Sequence, residues 1–316
     1  MSDMVALQPH SGPAKEQPAA PVRRPPWIKI KLRTGDNYKF LKVLVHGRRL
    51  HTVCEEARCP NIYECWENRT ATLMILGEVC TRSCGFCAVT TGRPAVLDPD
   101  EPRRVGEAVQ LMGLGHCVIT SVNRDELPDG GAAIWAATIR QVRRQAPDCT
   151  VEVLVPDFMG DGIVLQKVID AGPHIFGHNL ETVPRLYRRV RPQAEYRRSL
   201  DLLAFAAGRG LAVKSGIMIG LGETEAEVEA LMTDAAATGC RLFTVGQYLQ
   251  PTREHLAVVR YVPPVEFDRY REFGLQLGFA AVEAGPLVRS SYHAERMAQA
   301  LGISSSGREE NYAGPL

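Results

Sequence analysis

From Leu73 onward the chain alternates short apolar runs with longer stretches in which apolar residues recur every three or four positions. Short apolar runs bounded by polar turns read as buried strands, and the longer 3.6-residue periods read as amphipathic helices. Strands are predicted at Leu73–Leu76, Cys117–Ser121, Val151–Val155, His174–Gly177, Ala212–Ile219 and Leu242–Val245. Helices are predicted near Arg103–Met112, Ala132–Gln145, Gly162–Ala171, Tyr196–Arg209, Glu225–Ala237 and Pro264–Leu277. Regular alternation of strand and helix implies right-handed βαβ units and a parallel sheet. Six such units predict an α/β fold, a partial (β/α)6 TIM-type barrel with N-terminal and C-terminal extensions. Its site is expected at the C-terminal ends of the strands.

The flanks read differently. Residues 1–26 are rich in Pro, Ala and Gln and end in Pro25-Pro26, so a disordered tail is expected there. Trp27 opens the ordered part, and Tyr38 to Leu50 reads as a helix or an extended cover. The expected organisation is a tail at 1–26, an N-terminal extension at 27–72, the barrel at 73–285 and a C-terminal segment at 286–316.

Composition narrows the class. The chain has 316 residues, 45% of them hydrophobic, enough for one large domain with appendages or two modest ones. A net charge of +1 carries no footprint of a dedicated nucleic-acid binder. No apolar run approaches the ~20 residues of a membrane span, and the N-terminus lacks an apolar signal core. Nine cysteines without such a signal point to a reducing compartment, and a cytoplasmic location is expected. Cys117, Cys149 and Cys240 lie in or beside apolar strand-like runs and read as core thiols.

The other six cysteines form two triples. Cys80, Cys84 and Cys87 stand at C-x3-C-x2-C, just beyond the first predicted strand. Three thiolates hold three irons of a [4Fe–4S] cubane, where a closed electron-transfer site would have four. The fourth iron stays open for a substrate or cofactor, by the logic that makes open metal positions catalytic. A zinc knuckle would need a fourth Cys or His at short range, and the next histidine, His116, is too distant. Phe86 is placed to shield the cluster or stack on an adenine. Cys54, Cys59 and Cys65 stand at C-x4-C-x5-C and are again one ligand short. A second iron–sulfur cluster is expected there, with its fourth ligand from elsewhere in the chain.

The Cys80 triple resembles the signature of radical S-adenosylmethionine (SAM) enzymes, which implies SAM chelated at the open iron and a (β/α)6 partial barrel. With both triples in view the resemblance narrows to the lipoyl synthase family, from about Trp27 to about Ala294. It is carried by Thr52-Val53-Cys54-Glu55-Glu56-Ala57 with Cys59-Pro60-Asn61, the Cys80 triple, Ile119 to Asp125 with Asp129 to Ala132, and His178-Asn179-Leu180-Glu181-Thr182. Further support comes from Lys214 to Glu223, Gly246 to Pro251, and Arg289-Ser290-Ser291-Tyr292. The paired triples with the Arg-Ser-Ser-Tyr string are highly specific; the glycine-containing strings alone are weak.

The resemblance implies insertion of two sulfur atoms at carbons 6 and 8 of an octanoyl chain on a lysine of a lipoyl carrier domain. Two [4Fe–4S] clusters and SAM are the implied cofactors, and the auxiliary cluster is the implied sulfur source. The implied partners are octanoylated carrier domains of 2-oxoacid dehydrogenase subunits and the glycine cleavage carrier protein, an electron donor protein and an iron–sulfur carrier, with no nucleic acid and no membrane. The resemblance also implies a serine ligand to the auxiliary cluster. Ser291 is taken over Ser290, a choice that spacing does not make. Without the family, a turn cap would be the preferred role of either serine.

Asn123, Arg124 and Asp125 follow the second strand, at the rim where relatives bind the methionyl end of SAM; a surface salt bridge is the equal alternative. Asn179 and Glu181 are expected at ribose hydroxyls, with His178 a contact or an orienting group. Lys214, within the fifth strand, is expected among the cofactor contacts, Gln247 and Tyr248 at the end of the sixth strand are expected to face SAM or the acyl chain, and Glu223 to cap the following helix. Arg188, Arg189 and Arg191 form a basic run that meets an acidic carrier or is simply a solvated helix face. The competing functions are another radical SAM sulfur inserter, such as a biotin-synthase-like protein or a methylthiotransferase, and a non-enzymatic iron–sulfur sensor or electron carrier.

Overall fold

The computed structural model of the chain describes residues 23–30, 34–67 and 70–303. Most of the expected tail and the end of the C-terminal segment lie outside these. The N-terminal extension carries α1 (Asp36–Gly47), β1 (His51–Thr52), α2 (Val53–Glu56) and α3 (Ile62–Glu67). Tyr38 to Leu50 is therefore mostly helical, with Leu41 and Val45 buried.

The barrel begins at β2 (Thr72–Ile75), followed by a small parallel pair, β3 (Val79–Cys80) and β4 (Thr90–Thr91). Then come α4 (Glu101–Met112), β5 (His116–Ser121), α5 (Ala132–Gln145), β6 (Thr150–Leu154), α6 (Gly162–Ile169) and β7 (Ile175–Gly177). The short α7 (Tyr187–Val190) and α8 (Tyr196–Ala207) precede β8 (Ala212–Ile219), α9 (Glu225–Ala237) and β9 (Leu242–Gln247). The barrel ends with α10 (Pro264–Gln276) and β10 (Ala281–Gly285), and α11 (Ala294–Gln299) follows.

The main sheet runs β1-β2-β5-β6-β7-β8-β9-β10. Pairing is parallel throughout except for β1, which pairs antiparallel with β2. All six expected strands are present. A seventh parallel strand, β10, adds to the six, with Ala281 opposite Leu242 and Gly285 opposite Gly246. The core strands are buried on both faces, as parallel strands under helices must be.

Local chemistry sets the helix ends. Thr224 and Glu227 form a reciprocal capping box at the start of α9. Asp161 accepts from Ile163 and Val164 N–H and starts α6. Glu223 accepts instead from Gly220 and Leu221 N–H, so it braces the turn before α9 and does not cap the helix.

The segment after β10 returns to the N-terminal extension. Asn61 donates to the Leu287 carbonyl at 2.7 Å, Thr72 donates to the Ser291 hydroxyl at 2.7 Å, and Tyr292 donates to Glu64 at 3.4 Å. Below, Met297 and Ala298 pack on Ile175 and Leu242, the first residues of β7 and β9. The two ends of the open sheet are thus bridged by one strap of chain.

Candidate functional site

A cavity of about 440 Å³ opens at the C-terminal ends of the strands. Its wall includes Cys54 and Cys59 on one side, Cys80, Cys84 and Cys87 on another, and both Ser290 and Ser291. Cys65 is not in the wall but stands on α3, where burial, and then the neighbouring Cys54 and Cys59, push its thiol up. All nine cysteines are free, and Cys117, Cys149 and Cys240 are buried as core thiols.

The donor set fits iron–sulfur clusters. Among the described residues only His51, Glu56 and Glu78 bring three such ligand atoms within 4.8 Å of one another, so neither cysteine triple is drawn in tightly enough for a single ion. Four ligands about 2.3 Å from one zinc would sit closer than that, whereas in a cubane each thiolate binds a different iron. Burial pushes the Cys54 thiol up to about 12, helped by Cys59, and pushes Cys84 up to about 11 and Cys87 up to about 12. Such thiols keep their protons until a metal displaces them. The backbone N–H groups of Arg82 and Asn123 point at the Cys80 Sγ, at 3.4 and 3.3 Å.

The structure divides the predicted contacts. Phe86, Asn123, Asn179 and Glu181 line the cavity. Asn123 Oδ1 is buried without a partner, and Asn179 Nδ2 donates to Glu181 at 3.0 Å. Glu181 has φ +66°, and burial raises its carboxyl pKa. His178 orients its neighbours: its ring nitrogens meet the Val155 carbonyl at 2.8 Å and the Ser199 hydroxyl at 3.0 Å. Burial, then the charge of Arg191, pushes it down to about 4, so it is neutral.

Four expected contacts are placed elsewhere. Arg124 is buried and spends its guanidinium on Glu126 and on the Leu76 and Ala95 carbonyls, pinning loops together. Asp125 makes a two-point pair with Arg82, at 2.6 and 2.9 Å. Lys214 points into the barrel one layer below the cavity, where its Nζ meets the buried Glu152 at 2.7 Å and His116 completes the cluster at 3.0 Å. Gln247 faces away from the cavity; its amide bridges the Ile219, Tyr248 and Arg260 carbonyls and accepts from Val262 N–H.

Five arginines stand in the wall that were not expected as ligand contacts, Arg24, Arg58, Arg82, Arg191 and Arg289. Arg82 was legible only as part of the cysteine string. It reaches Asp125 and, at 2.6 Å, the buried Asp157, which also accepts from Arg198 at 3.1 Å. The basic run splits: Arg188 and Arg189 are exposed, while Arg191 is buried.

A three-cysteine loop beyond the first strand of a partial parallel barrel, opening on a cavity at the strand ends, defines a radical SAM enzyme. The family model for the radical SAM superfamily matches residues 74–235, and the model for the N-terminal domain of lipoyl synthase matches residues 2–59. The lipoyl synthase of Rubrobacter xylanophilus is 59% identical over 278 residues, 87% of each chain. That of Methylococcus capsulatus is 52% identical over 293 residues, 92% of this chain and 91% of its own. The chain belongs to the lipoyl synthase family. Among solved structures, methylornithine synthase is similar at a TM-score of 0.52 and 14% identity, covering 87% of this chain and 91% of its own. Streptococcus suis SuiB bound to its precursor peptide has a TM-score of 0.54 at 12% identity, covering 72% of this chain and 53% of its own. At these identities both speak for the fold alone.

Among the described residues no helix is long and apolar enough to cross a membrane.

Proposed function

We propose that the chain inserts two sulfur atoms at carbons 6 and 8 of an octanoyl group carried on a lysine of a lipoyl carrier domain. Cys80, Cys84 and Cys87 hold one [4Fe–4S] cluster, and Cys54, Cys59, Cys65 and Ser291 hold the auxiliary one. The observation that carries the reading is that five of these six cysteines and Ser291 line a single cavity. When bound, the clusters and SAM supply the electron, the 5′-deoxyadenosyl radical and the sulfur that the reaction requires.

The chain's own groups do the rest. Asn123 keeps the Cys80 loop in place through its N–H and offers its unpaired Oδ1 to the methionyl ammonium of SAM. Asn179 and Glu181 offer oxygens to ribose hydroxyls, and Phe86 covers the adenine side. Ser291 brings an oxygen, a harder donor than thiolate, to one corner of the auxiliary cluster. That corner is held less firmly, which suits a cluster that gives up sulfide. The proposed units are the extension at 27–72, the barrel at 73–285 and the strap from 286 on.

The carrier is a 2-oxoacid dehydrogenase subunit or the glycine cleavage carrier protein, served by an electron donor and an iron–sulfur carrier in the cytoplasm. Binding energy from the carrier positions the reacting carbon, so free octanoate is a poor substrate.

The test is a chain with Cys54, Cys59 and Cys65 all changed to Ala, incubated anaerobically with SAM, dithionite and an octanoyl-lysyl peptide. It should cleave SAM reductively and make no sulfur-containing product by mass analysis. Full lipoyl formation by that variant would end the assignment.

A further inference from the structure

Beside each cysteine triple stands a guanidinium, Arg191 buried and Arg289 partly buried, that makes no ion pair among the described residues; the charge of Glu181 reaches both, but from beyond ion-pair distance. Arg191 is 9% exposed and sits in the cavity wall. Its Nη1 donates to the Asn179 carbonyl at 2.7 Å and the Leu180 carbonyl at 3.3 Å, and its Nε is buried without a partner. Arg289 lines the same cavity, and its Nη1 donates to the Val288 carbonyl at 2.7 Å and the Gln247 carbonyl at 3.2 Å. Neither makes an ion pair among the described residues, whereas Arg82 in the same wall is balanced by two aspartates.

The placement is parallel at the two sites. The Gly85 N–H, next to Cys84, donates to the Val190 carbonyl at 2.8 Å, which fixes Arg191 against the Cys80 loop. Asn61, two residues past Cys59, donates to the Leu287 carbonyl at 2.7 Å, which fixes Arg289 against the auxiliary loop. Both guanidiniums stand in the wall that five of the six cysteines share. Burying a guanidinium without a carboxylate in direct contact is costly. The cost is recovered where a negatively charged group comes close enough to pair with it, and a thiolate-ligated cluster is such a group.

We infer that Arg191 and Arg289 are positioning residues that tune the two clusters separately, Arg191 for the Cys80, Cys84 and Cys87 cluster and Arg289 for the auxiliary one. The inference rests on the ligand assignment above. A cation beside a cluster favours its more negative, reduced form, and cluster potentials follow local charge and hydrogen bonds. Two clusters sharing one cavity can thereby accept an electron at different potentials.

The test isolates each cluster in the full chain. One background carries Cys54, Cys59 and Cys65 as Ala; the other carries Cys80, Cys84 and Cys87 as Ala. Redox titration followed by electron paramagnetic resonance is run on Arg191→Gln, Arg289→Gln and the two Lys variants in both. In the first background Arg191→Gln should lower the reduction equilibrium constant at least tenfold, about 59 mV for one electron, and Arg289→Gln should change it by under about threefold. The second background should show the reverse. Arg191→Lys and Arg289→Lys keep the charge and should hold the potential within about threefold. Equal shifts at both clusters, no shift at either, or Lys variants that fall as far as Gln would overturn the inference alone. A background chain that binds no cluster would overturn the ligand assignment and this inference with it.

Discussion

Replacing Arg82 with Met removes the guanidinium that ties the Cys80 loop to the barrel rim. Arg82 is 4% exposed and bonds Asp125 at 2.6 and 2.9 Å and Asp157 at 2.6 Å. Breaking a buried pair by removing one partner costs roughly 3–5 kcal/mol. The lower end applies, because Asp125 is partly exposed and Asp157 keeps Arg198 at 3.1 Å. The titration of Asp157 gives an independent figure. Burial pushes its carboxyl up, but the hydrogen bonds and charge of Arg82 prevail and hold it at about 2 against an ordinary 3.8. A depression of that size corresponds to about 2 kcal/mol. Because the folded pKa is the lower one, this stability is present above pH 3.8 and is lost as pH falls towards 2. Urea unfolding of the cluster-loaded protein, followed by the fluorescence of the buried Trp66 and Trp135, reads both effects. Arg82→Met should lose about 2–3 kcal/mol at pH 7, and the deficit should shrink as pH falls from 3.8 towards 2, giving a shallower acid limb than the parent's. A loss under about 1 kcal/mol, or an acid limb that superimposes on the parent's, would refute the reasoning.

Gly246→Ala would drive its Cβ into the Val288 carbonyl oxygen and displace the strap that carries Ser291; iron analysis should show less auxiliary cluster with the Cys80 cluster retained, and unchanged iron content would count against it. His178, pushed down to about 4 by burial and then by Arg191, should show no imidazole titration by ¹⁵N NMR above about pH 5. Its folded pKa lies below the ordinary 6.5, so its contribution is full above that value and lost as pH falls towards 4; a midpoint near 6.5 would contradict the burial argument. Thr72→Val deletes the 2.7 Å hydrogen bond to Ser291 and should cost about 1 kcal/mol in urea unfolding, with an indistinguishable midpoint as the disproof.

The strands and the cysteine chemistry were legible because each leaves a local mark. Buried parallel strands are continuous apolar runs, and thiol triples are rare enough to announce themselves. β10 was not legible: Ala-Val-Glu-Ala-Gly is short, small and alternately half-buried, as suits an edge strand with one neighbour. The misplaced contacts fail for a different reason. Lys214 shares its strand face with Gly216 and Met218, which do line the cavity, so its inward direction was readable but its layer was not. Gln247 sits between Gly246 and Tyr248, both in the wall, and the strand pleat turns it the other way. Arg124 and Asp125 follow the right strand, but their partners come from Leu76, Ala95 and Arg82, pairings that only the folded chain brings within reach.

The strap after β10 also bears on the order of synthesis. Its bonds join residues 226, 219 and 228 positions apart, Asn61 with Leu287, Thr72 with Ser291 and Glu64 with Tyr292. A chain growing from its N-terminus displays both cysteine triples long before these partners exist, and contacts so remote in sequence form late. The nascent protein therefore passes through a stage in which every thiol of the site is made and the serine is not. Under the ligand assignment proposed above, an auxiliary cluster delivered at that stage would meet three cysteines and an open corner, and the oxygen could close it only once residue 291 had left the ribosome and the two edges of the sheet had been drawn together.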